Sequence, residues 1–153
     1  MHVMAKSLQA AHPHWKILLV GPTQVEADRV EISRQLQGLS NVSILPPCDL
    51  DGLPLDEVIA ALIPYADTMG TSAVELSNKA LHLFSRGIPI LASGMPNFVR
   101  EPFALQVTDQ ASFDRGVQEC VEHFNDWQPA IQAFVENNSA SARLRALGIT
   151  PAT

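Results

Sequence analysis

Apolar residues along this chain come either in short unbroken runs or at spacings of three and four. Unbroken runs predict buried strands, and the spaced ones predict helices with one apolar face. Trp15-Lys16-Ile17-Leu18-Leu19-Val20 predicts a first strand, of the kind buried on both faces in parallel sheets. It ends in the turn Gly21-Pro22-Thr23. Asn41-Val42-Ser43-Ile44-Leu45 predicts a second strand, closed by Pro46-Pro47. Leu62 and Ile63 end a third run, stopped by Pro64. Ile88 to Ala92 predicts the fourth, and Leu105-Gln106-Val107 a short edge strand.

The helical stretches fall mostly between these runs. His2 to Ala11 has helical composition and ends at His12-Pro13. Val25 to Leu36 predicts a helix with Gly38 as its stop. Pro54 to about Ile59 predicts a short helix opened by proline. Ser77 is a predicted N-cap for a helix over Asn78 to Arg86, and Gly87 its left-handed stop. Ser112 is the predicted cap of a helix from Phe113 to about Asn125. Trp127-Gln128-Pro129 is predicted to start another, to Asn137. Ser139 or Ser141 opens a last one, through Leu147 to a stop at Gly148. Tyr65 to Leu76, with Met69-Gly70-Thr71-Ser72, and Gly94 to Phe98 remain as loops.

Strands alternating with helices predict an α/β chain with a Rossmann-like parallel sheet flanked by helices and right-handed crossovers. Ligands of such sheets bind outside the carboxyl ends of the strands. The candidate loops are then Gly21-Pro22-Thr23, Leu45-Pro46-Pro47, Pro64 to Ser77 and Ser93 to Phe98. A helix N-terminus with unpaired amides is suited to a phosphate or diphosphate. Lys79 lies in the first turn of the Ser77-capped helix, where a cation opposes the helix dipole unless an anion is near. Asn78, Lys79 and His82 share one polar edge. The same three residues also fit the solvated face of an amphipathic helix.

With 153 residues, 46% of them hydrophobic and 17% charged, the chain has the size and composition of one globular domain. A net charge of −6 argues against a nucleic-acid partner. Cys48 and Cys120 show neither metal spacing nor a disulfide framework, which predicts a reducing compartment and a cytoplasmic location. Met1 to Ala11 does not read as a signal peptide, and no apolar run approaches the roughly 20 residues of a membrane span. Asp49-Leu50-Asp51 has metal-pair spacing but reads as turn chemistry. Arg100-Glu101 reads as a surface ion pair, although it could reach the crevice. His2, His12, His14 and His123 read as surface residues. Ser72 and Ser93 show no histidine–acid partner that would mark a serine hydrolase.

Four blocks in order, HPHWKILLVGP, NVSILPP, LIPY and SNKALHLFSRGIPILAS, resemble the C-terminal half of the GT-B glycosyltransferases, in particular the group 1 or family 4-like retaining enzymes. The resemblance runs from His12 to about Leu147, and the helices around Trp127 fit it too. It implies that residues 1–153 are a single half-domain that binds a nucleotide sugar. By the resemblance, Gly21 and Pro22 approach the donor's phosphates and Pro47 lies close to the base. Tyr65 ends the third strand of the pattern. Ser77, Asn78 and Lys79 receive the diphosphate. His82 stands where the family has a ribose-binding glutamate. Val74 stands where it has a sugar-facing one, with Glu75 beside it.

The implied reaction transfers a sugar from a nucleoside-diphosphate sugar, a co-substrate rather than a cofactor, to an acceptor. Lys79 is the implied catalytic charge on the leaving diphosphate, with Asn78 or Ser77 orienting an oxygen and no metal needed. The implied partners are the donor and an N-terminal acceptor-binding half that this length has no room for. Peripheral membrane association would come through that half. The alternative is a non-catalytic nucleotide-sugar-binding module or truncated remnant. A dehydrogenase-like nucleotide binder is disfavoured, because no G-x-G-x-x-G follows the first strand.

Overall fold

A computed structural model describes residues 2–21, 34–36, 38–65 and 69–148. Contacts group them into two compact units, Met1–Glu57 and Val58–Thr153. Both are built on parallel strands with helices, a Rossmann-like α/β arrangement.

In the first unit, helix α1 (His2–Ala11) precedes a parallel pair, β1 (Ile17–Val20) and β2 (Val42–Leu45). β1 is shorter than expected: Trp15 stacks on His12 at 4.0 Å instead of entering the strand, which also takes His12 partly out of solvent. Nor is β1 buried on both faces, since Val20 is exposed. Asn41 is 4% exposed, and its Nδ2 donates to the Ala5 carbonyl at 2.9 Å, tying α1 to the start of β2. The helix expected over Val25 to Leu36 lies mostly outside the described residues; residues 34–36 are helical, with Leu36 in the core. The helix expected from Pro54 to Ile59 is not formed. A 3-10 turn, Leu55–Glu57, stands there, preceded by another at Leu50–Gly52, neither with a buried residue to hold a longer helix.

The second unit holds a three-stranded parallel sheet ordered β3-β4-β5, with β3 Ala61–Pro64, β4 Ile90–Ser93 and β5 Ala104–Gln106. β4 is central, and Ile90, Leu91 and Ala92 are all buried, as the continuous run predicts. Beyond β3 the chain forms a single turn, α2 (Met69–Ser72), inside the stretch expected to be loop. Helix α3 (Asn78–Phe84) then leads into β4. Its Ser77 cap accepts from the Ala80 amide at 3.1 Å, and Gly87 at φ +72° ends the segment. Ala80, Leu83 and Phe84 face the core.

The two helices expected between Phe113 and Asn137 are one, α4 (Gln110–Asn138), which runs through Pro129. Its cap is Asp109, not Ser112. Ser112 is the third helical residue and closes a reciprocal capping box with Asp109. Pro129 lacks one helical N–H, yet the helix runs on through it, with Cys120 before it and Ile131 after it both buried. Helix α5 (Ala140–Ala146) follows, capped by Ser139 rather than Ser141. The unit's aromatic core joins three elements. Phe84 of α3, Phe103 before β5 and Phe134 of α4 meet edge to face with centroids 5.2, 5.5 and 5.7 Å apart.

Candidate functional site

The candidates divide between the units. Gly21 and Pro47 belong to the first, where both follow the carboxyl ends of their strands. The Gly21 amide donates to the Leu45 carbonyl at 3.2 Å, and Pro47 is exposed two residues beyond β2. Pro22 lies outside the described residues.

Tyr65, Glu75, Ser77, Asn78, Lys79 and His82 belong to the second unit. Tyr65 directly follows β3, and its amide extends the parallel ladder by donating to the Ser93 carbonyl at 3.1 Å. Tyr65 is 42% exposed. The Lys79 ammonium stands 5.8 Å from the centre of its ring, within cation–π range. An exposed cation and an exposed aromatic face are thus brought together at the carboxyl edge of the sheet. Asn78 and His82 lie on the same exposed side of α3 as Lys79, while its opposite side is core. The Ser77 hydroxyl accepts from Ala80 and retains its own proton for donation.

Glu75 stands apart from this group. Its carbonyl accepts from the Val99 amide at 2.8 Å, which ties the α2–α3 connection to the loop after β4. That loop is tied a second time where Asn97 Nδ2 donates to the Ser72 carbonyl at 2.7 Å. Beside these ties is a pocket of about 420 Å³, lined among others by Glu75, Asn97, Phe98, Arg100, Phe134 and Arg143. Lys79, Tyr65 and His82 do not line it. Arg100 is not paired with Glu101 among the described residues, contrary to the expected surface ion pair. Arg143 of α5 has no counterpart in the sequence reading, because nothing in the local pattern of the last helix links it to the loop after β4.

His123 is exposed, with Nδ1 3.6 Å from an Asp126 carboxylate oxygen and its ring tilted against Trp127. Among the described residues no group of three or more His, Cys, Asp or Glu side chains is arranged to hold a metal. Among them too, no helix is long and apolar enough to cross a membrane. Cys120 is buried in α4, which pushes its thiol up to about 12, with Glu119 adding to the shift. Cys48 is exposed. No family model matches the chain, and no curated protein matches it.

Proposed function

We propose that the chain is the donor-binding part of a glycosyltransferase of the GT-B type, and that the diphosphate of a nucleotide sugar binds beside Lys79. The observation that carries this reading is the pairing of the Lys79 ammonium with the exposed Tyr65 ring at the carboxyl edge of the β3–β4 pair. Parallel sheets of this kind take their ligands at that edge. The four ordered sequence blocks that resemble GT-B donor domains support the same reading.

In the reaction, the bond between the sugar's anomeric carbon and the diphosphate oxygen breaks, and negative charge grows on that oxygen. Lys79 supplies the opposing charge. The Ser77 hydroxyl and the Asn78 amide donate to the phosphate oxygens. An acceptor hydroxyl, held by a second domain, forms the new bond to the anomeric carbon, and its proton passes to the departing diphosphate oxygen. His82 reaches the ribose hydroxyls as a single-atom hydrogen-bond partner, where a glutamate would use two oxygens. A binding module without transfer is the second reading, favoured by His82 and Val74 standing where the family carries glutamates.

The test is calorimetric titration of the chain with UDP, GDP and ADP. Saturable binding of one of them is expected and names the base. Absence of binding by all three contradicts the reading.

A further inference from the structure

The pocket between the α2–α3 connection, the loop after β4 and the last two helices is not used by the donor reading, and its chemistry differs from that of the Lys79 edge. It carries two guanidinium groups, Arg100 and Arg143, from elements far apart in sequence, in a chain whose net charge is −6. Both are exposed. Arg143 makes one long contact, from Nη2 to Asn138 Oδ1 at 3.5 Å, which leaves most of its donors to an incoming acceptor. The pocket's asparagines already spend donors on the backbone: Asn97 on Ser72, Asn138 on Phe134. The arginines are therefore its main donors.

The apolar part of the lining is fixed in place. Phe134 is half-buried and presents apolar surface, whereas Phe98 is 1% exposed and only backs the lining. Phe134 belongs to the three-ring core cluster with Phe84 and Phe103. The wall that would receive an apolar body is thus anchored to the sheet and α3, not carried on a free loop. One carboxylate, Glu75, also lines the pocket. Two positive charges against one negative favour a single negative charge in the ligand and oppose a second.

We propose that this pocket binds a small organic monocarboxylate with an apolar body, the carboxylate bridging Arg100 and Arg143 and the apolar part lying against Phe134. Guanidinium groups match carboxylates through paired N–H donors. The site is separate from Lys79, so it stands or falls independently of nucleotide binding.

The test follows backbone amide shifts of the whole chain by NMR as sodium benzoate is added at constant ionic strength. Saturable shifts at Glu75, Val99 and Asn138 are expected. Arg100→Gln and Arg143→Gln should each weaken benzoate at least tenfold, with spectra otherwise superimposable on the parent. Arg100→Lys, which keeps the charge but loses the fork, should fall between. Lys79→Ala should leave benzoate affinity unchanged. Glu75→Gln should tighten it and admit inorganic phosphate. Shifts that do not saturate, saturable shifts only elsewhere, or an affinity unchanged from the parent's in either Arg→Gln variant would overturn the proposal.

Discussion

Gln128 Nε2 donates to the Gly87 carbonyl at 2.9 Å and, from the same nitrogen, to the Phe124 carbonyl at 2.9 Å. One side-chain amide thereby joins the turn before β4 to the helix α4 one residue ahead of its proline. Gly87 allows this in two ways. Its φ of +72° is left-handed, and a Cβ there would meet the Gln128 side-chain oxygen.

Gly87→Ala is therefore expected to destabilise the chain by about 1–2 kcal/mol from the backbone alone. Displacement of Gln128 adds to that. Gly87→Asn should lose less, since asparagine tolerates this conformation better. Denaturant unfolding of the three proteins checks the order glycine, asparagine, alanine.

Gly116 is the second position where a missing side chain sets the packing. A Cβ on it would press on Cδ2 of Leu91 in β4 and lie 3.5 Å from Leu105 of β5. Leu91 is buried and cannot swing away into solvent. Gly116→Ala gains up to about 1 kcal/mol in helix propensity but loses about 1–3 kcal/mol to overpacking. Net destabilisation is expected, and Leu91→Val should recover part of it. A double-mutant cycle measures that coupling.

Cys120 and Cys48 should react differently. At pH 8 iodoacetamide is expected to label the exposed Cys48 of the native chain and to spare Cys120, which becomes reactive only on unfolding; mass spectrometry of the digested protein reads this directly. The same burial has a pH signature. The folded thiol is raised from 9.0 to about 12, so the contribution of its neutral form is complete below pH 9 and is lost as pH rises from there towards 12. Cys120→Ala should flatten that alkaline fall in stability while lowering stability at neutral pH.

Asp109 has the opposite sign. Its carboxylate accepts from the Ser112 amide, first of all, and from the Ser112 side chain, which lowers it below 3.8. A lowered carboxyl contributes stability that is present above the unfolded value and lost as pH falls through the folded one. Asp109→Ala should thus be less stable than the parent at neutral pH, with the gap narrowing below pH 3.8. Melting curves at pH 7 and pH 3 check it. The capping box gives Asp109→Asn an intermediate place, since its side chain can still accept.

Much of the second unit was legible because local chemistry and tertiary packing agree there. Ser77 and Gly87 bracket α3 in sequence as in structure, and the run at Ile90 to Ala92 could only be a buried strand. The continuity of the helix through Pro129 is not legible, because the packing beside it is not local: Ile131 is buried, and Phe134 meets Phe84 and Phe103, far off in the chain. Both residues of a capping box are good caps, and only the backbone shows that Asp109 is the cap and Ser112 the third helical residue. The Lys79 edge was readable from helical spacing. Its meeting with Tyr65 was not, and neither was the pairing of Arg100 with Arg143 in one pocket, since each needs a loop path that periodicity does not describe.

The most direct test of the donor reading compares a nucleoside diphosphate with its bare nucleoside, in the parent chain and in Lys79→Ala. The base is whichever of uracil, guanine or adenine gives binding. If Lys79 meets the diphosphate, the substitution weakens the diphosphate at least tenfold, about 1.4 kcal/mol, and leaves the nucleoside nearly unchanged. Equal losses for both ligands, or no loss for either, would contradict the assignment of Lys79 to the diphosphate.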